Sequence, residues 1–308
     1  MPLESDVLII GGGPAAMTAT LYSLRAGRSV RMIEKENFGG QIADSPRVEN
    51  FPSLKSISGL ELSSNLFDQV TSLGAEFELD EAQKIEKNGE TFLVKGSSDD
   101  YHAKSVIIAT GVKHRHLNIK GEDQYLGHGV SYCAVCDGPF YAGKPVMVIG
   151  DANSALQYAI LLASQCPHVD VVTLFDKFFA DDVLVKGLLS LKNVTVTHNM
   201  SSLSFNGDGK SLTSVSFENT VTKEHQDIPC AAAFVAIGQI PDNDRFDNWV
   251  ELKKGFILTD ETMATKTPGL YAAGDCRDKK VRQLTTACSD GAIAALSASN
   301  YVFALDHH

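Results

Sequence analysis

Short apolar runs that lead into glycine set the rhythm of this chain. Val7-Leu8-Ile9-Ile10 runs into Gly11, Ser105 to Ile108 into Ala109-Thr110-Gly111, Val146 to Ile149 into Gly150, and Ala233 to Ile237 into Gly238. Runs this brief, apolar throughout rather than at alternate positions, predict parallel strands buried on both faces. After the first run, Met17, Leu21 and Leu24 recur at helical spacing and residues 29–33 return as a strand, so 5–34 reads as one βαβ unit. A second unit opens at Pro145, with its second strand over 169–175. Leu62, Leu66, Val70 and Leu73 predict a helix over 59–75, stopped by Gly74. Residues 76–104 predict a small β-meander, and 194–240 predict further short strands. Gly269 to Asp275 is an apolar strand ending in Gly-Asp, and an alanine-rich helix runs to about Leu305. Residues 38–52, glycine- and proline-punctuated and polar, read as a loop.

The first turn carries chemistry. Gly11-Gly12-Gly13-Pro14-Ala15-Ala16 fits G-x-G-x-x-A: Gly11 permits the tight turn, Gly13 lets backbone approach a pyrophosphate, and Ala16 allows close helix–strand packing. The helix N-terminus meets the phosphate charge, and Glu34 is placed to accept hydrogen bonds from a ribose. Strand, turn, helix, strand and acid arrive in order, which argues for a dinucleotide, either FAD or NAD. The second turn, Gly150-Asp151-Ala152-Asn153-Ser154-Ala155, is altered. Its middle glycine is Ala152, and Asp151 sets a carboxylate where a phosphate would lie. The segment after its second strand holds Lys177 against Asp176, Asp181 and Asp182, no cluster for a 2′-phosphate.

Between the two units lies Cys133-Ala134-Val135-Cys136-Asp137-Gly138. Two thiols at this spacing can close into a small disulfide ring, and the adjacent acid can manage a proton during exchange. The same spacing is half of a zinc site, but Cys166, Cys230, Cys276 and Cys288 are solitary, so a catalytic dithiol is expected and no metal. The solitary cysteines read as small buried hydrophobes.

At 308 residues, 44% hydrophobic and 21% charged, the chain has room for two ordinary globular domains. No run of about eighteen apolar residues occurs, and Met1 leads straight into a strand with no basic leader, so a reducing cytoplasm is expected. A net charge of −11 argues against general nucleic-acid binding. His307 and His308 read as the remnant of a purification tag.

Taken together, Gly11 to Ala16, Glu34, Gly39-Gly40-Gln41, Val48-Glu49-Asn50-Phe51-Pro52, Ala109-Thr110-Gly111, Cys133 to Gly138 and Gly274-Asp275 resemble the low-molecular-weight bacterial thioredoxin reductases, in family order over essentially the whole chain. The resemblance implies an α/β fold of two Rossmann-like three-layer nucleotide-binding domains, the second inserted in the first. It places an FAD-binding domain over 1–115 and 243–308 and a central, dithiol-bearing domain over 116–242. It implies FAD held by Gly11, Gly13, Pro14, Ala15, Ala16, Glu34, Gly40, Gln41, Asn50, Thr110, Gly111, Gly274, Asp275, Arg282, Gln283 and Leu284. Cys136 would face the flavin, Cys133 would attack thioredoxin's disulfide, and Asp137 would carry the proton. A homodimer whose two domains rotate is implied as well.

Members that use NADPH have a full G-x-G-x-x-A and an arginine-bearing stretch in the central domain. Here both are lost, a pattern similar to the ferredoxin-dependent flavin thioredoxin reductases, so ferredoxin is the expected electron donor. Lys113, His114, Arg115, Arg277, Lys279, Lys280 and Arg282 are candidates for docking it. Two rivals keep the fold: an NADPH-independent dithiol oxidase that uses oxygen, and a reductase with weak NAD(P)H use. A flavin-bound redox sensor is the non-enzyme alternative.

Overall fold

The computed structural model describes residues 3–45 and 47–307. Pro46, within the expected 38–52 loop, lies outside the described residues, as do Met1, Pro2 and His308. The chain forms two compact units, 1–113 with 240–308, and 114–239. The sequence reading divided it after 115 and after 242.

The first unit opens with β1 (Leu3–Ile10), α1 (Pro14–Arg25), β2 (Val30–Glu34), α2 (Gly59–Ser72), β3 (Glu76–Leu79), β4 (Lys84–Asn88), β5 (Thr91–Lys95) and β6 (Asp100–Ile108). Its sheet has the order β3-β2-β1-β6-β5-β4. Strands β1, β2, β3 and β6 pair in parallel, and β5 is antiparallel to both β4 and β6. Alternation assigns the faces of β1: Val7 and Ile9 enter the core under α1, while Leu8 and Ile10 enter the opposite core with Ile85, Phe92 and Val94 of the β4–β5 hairpin. This is why the run is apolar at every position. Only β4–β6 form the expected meander, because β3 joins the parallel sheet beside β2. Strand β6 also begins five residues before its apolar run. Tyr101 and Ala103 are buried while His102 and Lys104 are half-buried, so its first half alternates and only its second half is covered on both faces.

The chain passes through β7 (Val112–His114) to the second unit, which holds α3 (Glu122–Tyr125), β8 (Val130–Ser131), α4 (Ala134–Asp137), β9 (Val146–Ile149), α5 (Asn153–Ala163), β10 (Val169–Val172), α6 (Asp182–Leu189), β11 (Val194–Thr197), β12 (Met200–Gly207), β13 (Leu212–Asn219), β14 (His225–Pro229) and β15 (Ala232–Val235). A parallel sheet of order β11-β10-β9-β15-β8 carries α5 and α6 on one face. The antiparallel β12-β13-β14 sheet covers the other through Phe205, Val215 and Phe217. Strand β10 stops at Val172, three residues short of the reading, because Thr173 donates its hydroxyl to the Phe175 carbonyl at 2.8 Å and turns the chain.

The return runs through β16 (Gln239–Pro241), β17 (Leu252–Lys253), β18 (Phe256–Ile257), β19 (Leu270–Ala272) and α7 (Leu284–Asp306). Strand β19 pairs in parallel with β6, so the last segment completes the first unit's sheet. Each unit is therefore helix, parallel sheet and antiparallel strands in three layers, as expected.

Candidate functional site

The first unit builds a cleft around its β1–α1 turn. Gly11 has φ +125°, and a Cβ there would lie 2.3 Å from the Ala109 carbonyl oxygen, so only glycine fits. Gly13 differs: a Cβ on it would meet nothing nearer than the Gly40 Cα at 3.9 Å. The space beside Gly13 is left open, as a backbone approached by a phosphate requires. Pro14 starts α1, where its missing N–H costs nothing. Ala15 and Ala16 are buried, and a Cβ on Gly274 or Gly291 would strike Ala15, so small residues let α7 lie close to α1.

Glu34 is already engaged, accepting from Gly12 N–H at 2.7 Å and Glu36 N–H at 2.9 Å. It lines a cleft together with Gly11, Lys35, Thr110, Gly111 and Arg245. Gln41 donates to the Val112 carbonyl, and Asn50 donates to Gln283 at 3.3 Å. Gln283 also caps α7 in a reciprocal pair with Thr286, and Leu284 is the helix's first residue. Arg282 stacks 4.2 Å over the Phe256 ring and donates to the Asp275 and Arg277 carbonyls.

Asp275 supplies the test of a cofactor's fit. Its Oδ1 is buried and accepts no hydrogen bond among the described residues, with Lys279 Nζ standing off at 3.8 Å. Burial pushes its carboxyl up, against the pull of Lys279 and Arg282. A buried acceptor left unmade is costly, and a polyol hydroxyl would satisfy it. The open face of Gly13 and this acceptor both suit a flavin dinucleotide.

Sequence reasoning missed Asn243. It is fully buried, accepts from the Thr110 hydroxyl at 3.2 Å and donates to the Gly255 and Cys276 carbonyls at 2.9 and 2.8 Å. It also missed the rim, where Lys35 and Arg245 both pair with Asp242 and Glu81. Burial raises the Asp242 carboxyl, but these two cations outweigh it and hold it below the carboxylate range. The only local signal was Pro241-Asp242-Asn243, which reads as a turn.

The expected docking cations need correction. Arg277 and Lys279 are spent on buried Asp290, at 3.0 and 2.8 Å, and Lys113 pairs with Glu36. His114 stacks on Tyr132, and burial pushes its imidazole down to about 4, so it is neutral near pH 7. Arg282 lies over Phe256. Of the seven, Arg115 and Lys280 remain as exposed candidates.

In the second unit Cys133 and Cys136 are joined as a disulfide with Cα atoms 5.3 Å apart. Cys133 precedes the short α4, and the Cys136 N–H donates to its sulfur at 3.2 Å. Asp137 follows at once, accepting from the Ser131 hydroxyl at 2.6 Å. The other cysteines are free; Cys166, Cys230 and Cys276 are buried, and burial pushes all three thiols up. Cys288 is half-buried, and its thiol is raised as well.

The turn between β9 and α5 keeps its backbone shape, with Gly150 at φ +153° and a would-be Cβ 2.5 Å from the Ala236 oxygen. The strand exit is fastened across it. Phe179 N–H donates to the Asp151 carbonyl at 2.7 Å, and Asn153 and Asp181 exchange two hydrogen bonds at 3.0 and 2.8 Å. Leu174, Phe175 and Phe179 are exposed there, and Lys177 lies 5.5 Å from the Phe179 ring. Burial pushes the Asp151 carboxyl up.

Comparison with known proteins agrees with this arrangement. The family model for pyridine nucleotide-disulphide oxidoreductases matches residues 5–291. The chain belongs to that family. It is 38% identical to the thioredoxin reductase of Bacillus subtilis over 298 residues, covering 96% of this chain and 94% of that one. The solved thioredoxin reductase of Streptococcus pyogenes is 36% identical, with a TM-score of 0.94 over 99% of this chain and 100% of that one. A ferredoxin-flavin thioredoxin reductase from Clostridium acetobutylicum is 25% identical, with a TM-score of 0.55 over 99% of each chain. The protein is thus a thioredoxin reductase-type flavoprotein disulfide reductase, and FAD is its cofactor. Among the described residues no helix is long and apolar enough to cross a membrane.

Proposed function

We propose that this protein reduces thioredoxin through FAD and the Cys133–Cys136 dithiol, with electrons from reduced ferredoxin rather than NADPH. The observation that carries the donor assignment is the fastened strand exit of the second unit. A 2′-phosphate is bound by charge-assisted hydrogen bonds from cations, each contributing about 1.5–3 kcal/mol. Here the segment 174–182 offers Lys177 alone among three acids, and Asn153 holds the Asp181 carboxylate beside the first turn of α5. Like charge at a helix N-terminus opposes an incoming phosphate.

In the first unit, Gly11, Gly13, Pro14, Ala15 and Ala16 form the pyrophosphate cradle, with Glu34, Gly40, Gln41, Asn50, Thr110, Gly111, Gly274, Asp275, Arg282, Gln283 and Leu284 around the rest of FAD. FAD, when bound, supplies the electron pair that opens the disulfide. The remaining steps belong to the chain. The Cys133 thiolate attacks thioredoxin's disulfide, forming one S–S bond as another breaks, and the expelled sulfur takes a proton. Cys136 then attacks Cys133 Sγ, which re-forms the internal disulfide and releases the second thioredoxin sulfur. Asp137 takes the Cys136 proton and passes it to the leaving thiolate. One electron pair leaves the dithiol per thioredoxin reduced, so two reduced ferredoxins are consumed. A homodimer in the cytoplasm fits this reading.

A second reading is NADH use, favoured by the intact β9–turn–α5 backbone and by acids rather than cations after β10. One anaerobic assay separates these: thiols appearing on thioredoxin are counted per electron supplied. The proposal expects one dithiol per two reduced ferredoxins and no thiol from NADPH. Reduction supported by NADPH but not by ferredoxin would reverse it, and reduction by NADH alone would select the second reading.

A further inference from the structure

We infer that Ser131 is a positioning residue for the dithiol's proton carrier. The inference rests on the reading of Asp137 as the group that takes the Cys136 proton. Ser131 closes β8 and is held there by parallel pairing with β15, where it faces Phe234 in register. It is buried, so its hydroxyl has no solvent to bond instead. A serine hydroxyl has one proton to give and two lone pairs. The proton points to Asp137 Oδ2 at 2.6 Å, the short distance of a charge-assisted bond. The Ser131 hydroxyl oxygen in turn accepts from the Cys133 N–H at 3.0 Å. One hydroxyl thus ties the backbone that carries the attacking thiol to the carboxylate six residues on, across the base of the Cys-x-x-Cys turn. A third tie, Asp137 N–H to the Cys133 carbonyl at 3.0 Å, closes the ring of contacts.

The consequence is chemical as well as geometric. A hydroxyl that donates to a carboxylate favours its ionised form, the form able to accept a proton. Burial and the nearby Asp137 charge both raise the Tyr141 phenol, so Tyr141 remains protonated. Tyr158 of α5 donates to the Tyr132 carbonyl rather than to the acid. Lys144 Nζ lies 5.8 Å from the Tyr141 ring. Ser131 is fixed on the sheet, whereas Asp137 sits on a single helical turn, so the serine sets where the carboxylate points when the disulfide opens and closes.

The test uses the holoenzyme, reduced anaerobically with dithionite and mixed with oxidised thioredoxin at a series of pH values. Ser131→Ala is expected to keep its flavin and its internal disulfide while moving the acid limb of the single-turnover rate up by about one pH unit, the size of one lost charge-assisted bond. Ser131→Thr keeps the hydroxyl and returns the limb toward that of the parent. A limb unmoved by Ser131→Ala, measured in a variant with full flavin, overturns the inference. Asp137→Asn separates the layers: it should abolish the limb, and a limb that survives it overturns the reading of Asp137 itself.

Discussion

Gly13 and Cys136 show how much of the site resides in single atoms. Gly13 is uncrowded, so the added Cβ of Gly13→Ala meets no protein atom closer than 3.9 Å yet stands on the side a pyrophosphate must approach. The expected outcome is a folded protein with its helical signal intact and at least tenfold less bound flavin per chain. Full flavin occupancy would place the pyrophosphate elsewhere. Cys136→Ser should abolish multiple-turnover thioredoxin reduction and, by leaving Cys133 free, lower the thiols gained on reduction from two to none, counted with a thiol reagent in denaturant. The turn glycines were legible in the sequence because backbone geometry dictates them within six residues. Asn243 was not, since its partner Thr110 lies 133 positions away and no local rule joins them. The docking cations misled for a related reason: a lysine reads as solvated until the fold sets Asp290 beside it.

At the scale of elements, patterning identified the parallel strands β1, β2, β6, β9, β10, β15 and β19, but it placed β3 in a meander, missed the two-residue β8, and did not show where β6 and β10 begin or end. A strand changes its pattern where its cover changes, so β6 looked like two segments. The β3–β6 region also contains an anchor no periodicity could signal. Asp80 accepts from the backbone N–H groups of Glu81, Ser97, Ser98 and Asp99 and from the Tyr101 hydroxyl. Burial raises its carboxyl, but these hydrogen bonds outweigh it and hold it below the usual aspartate range. A depressed folded-state value stabilises the protein above the unfolded value near pH 4 and is lost as the pH falls through the lower one. Asp80→Asn should therefore cost roughly 2 kcal/mol in denaturant titrations at neutral pH, with the gap to the parent narrowing near pH 3. A gap that stays constant with pH would refute the ionised anchor.

Across the whole molecule the chain repeats one plan, helix on parallel sheet on antiparallel strands, and gives the two copies different chemistry. The first keeps an open face at Gly13 and, among the described residues, a buried Asp275 oxygen that accepts no hydrogen bond. The second keeps the fold of a nucleotide turn, crosses it with its own strand exit, and presents apolar side chains where charge recognition would need cations. The two-domain plan was legible because both βαβ units carry strand, turn and helix in order; the fastening of the strand exit was not, because it depends on hydrogen bonds between residues 151–153 and 179–181. The most direct measurement follows the flavin absorbance anaerobically while NADPH, then NADH, then reduced ferredoxin is added. The account predicts no bleaching with NADPH, bleaching with ferredoxin, and recovery of the oxidised spectrum when oxidised thioredoxin is supplied. Rapid bleaching by NADPH would contradict it.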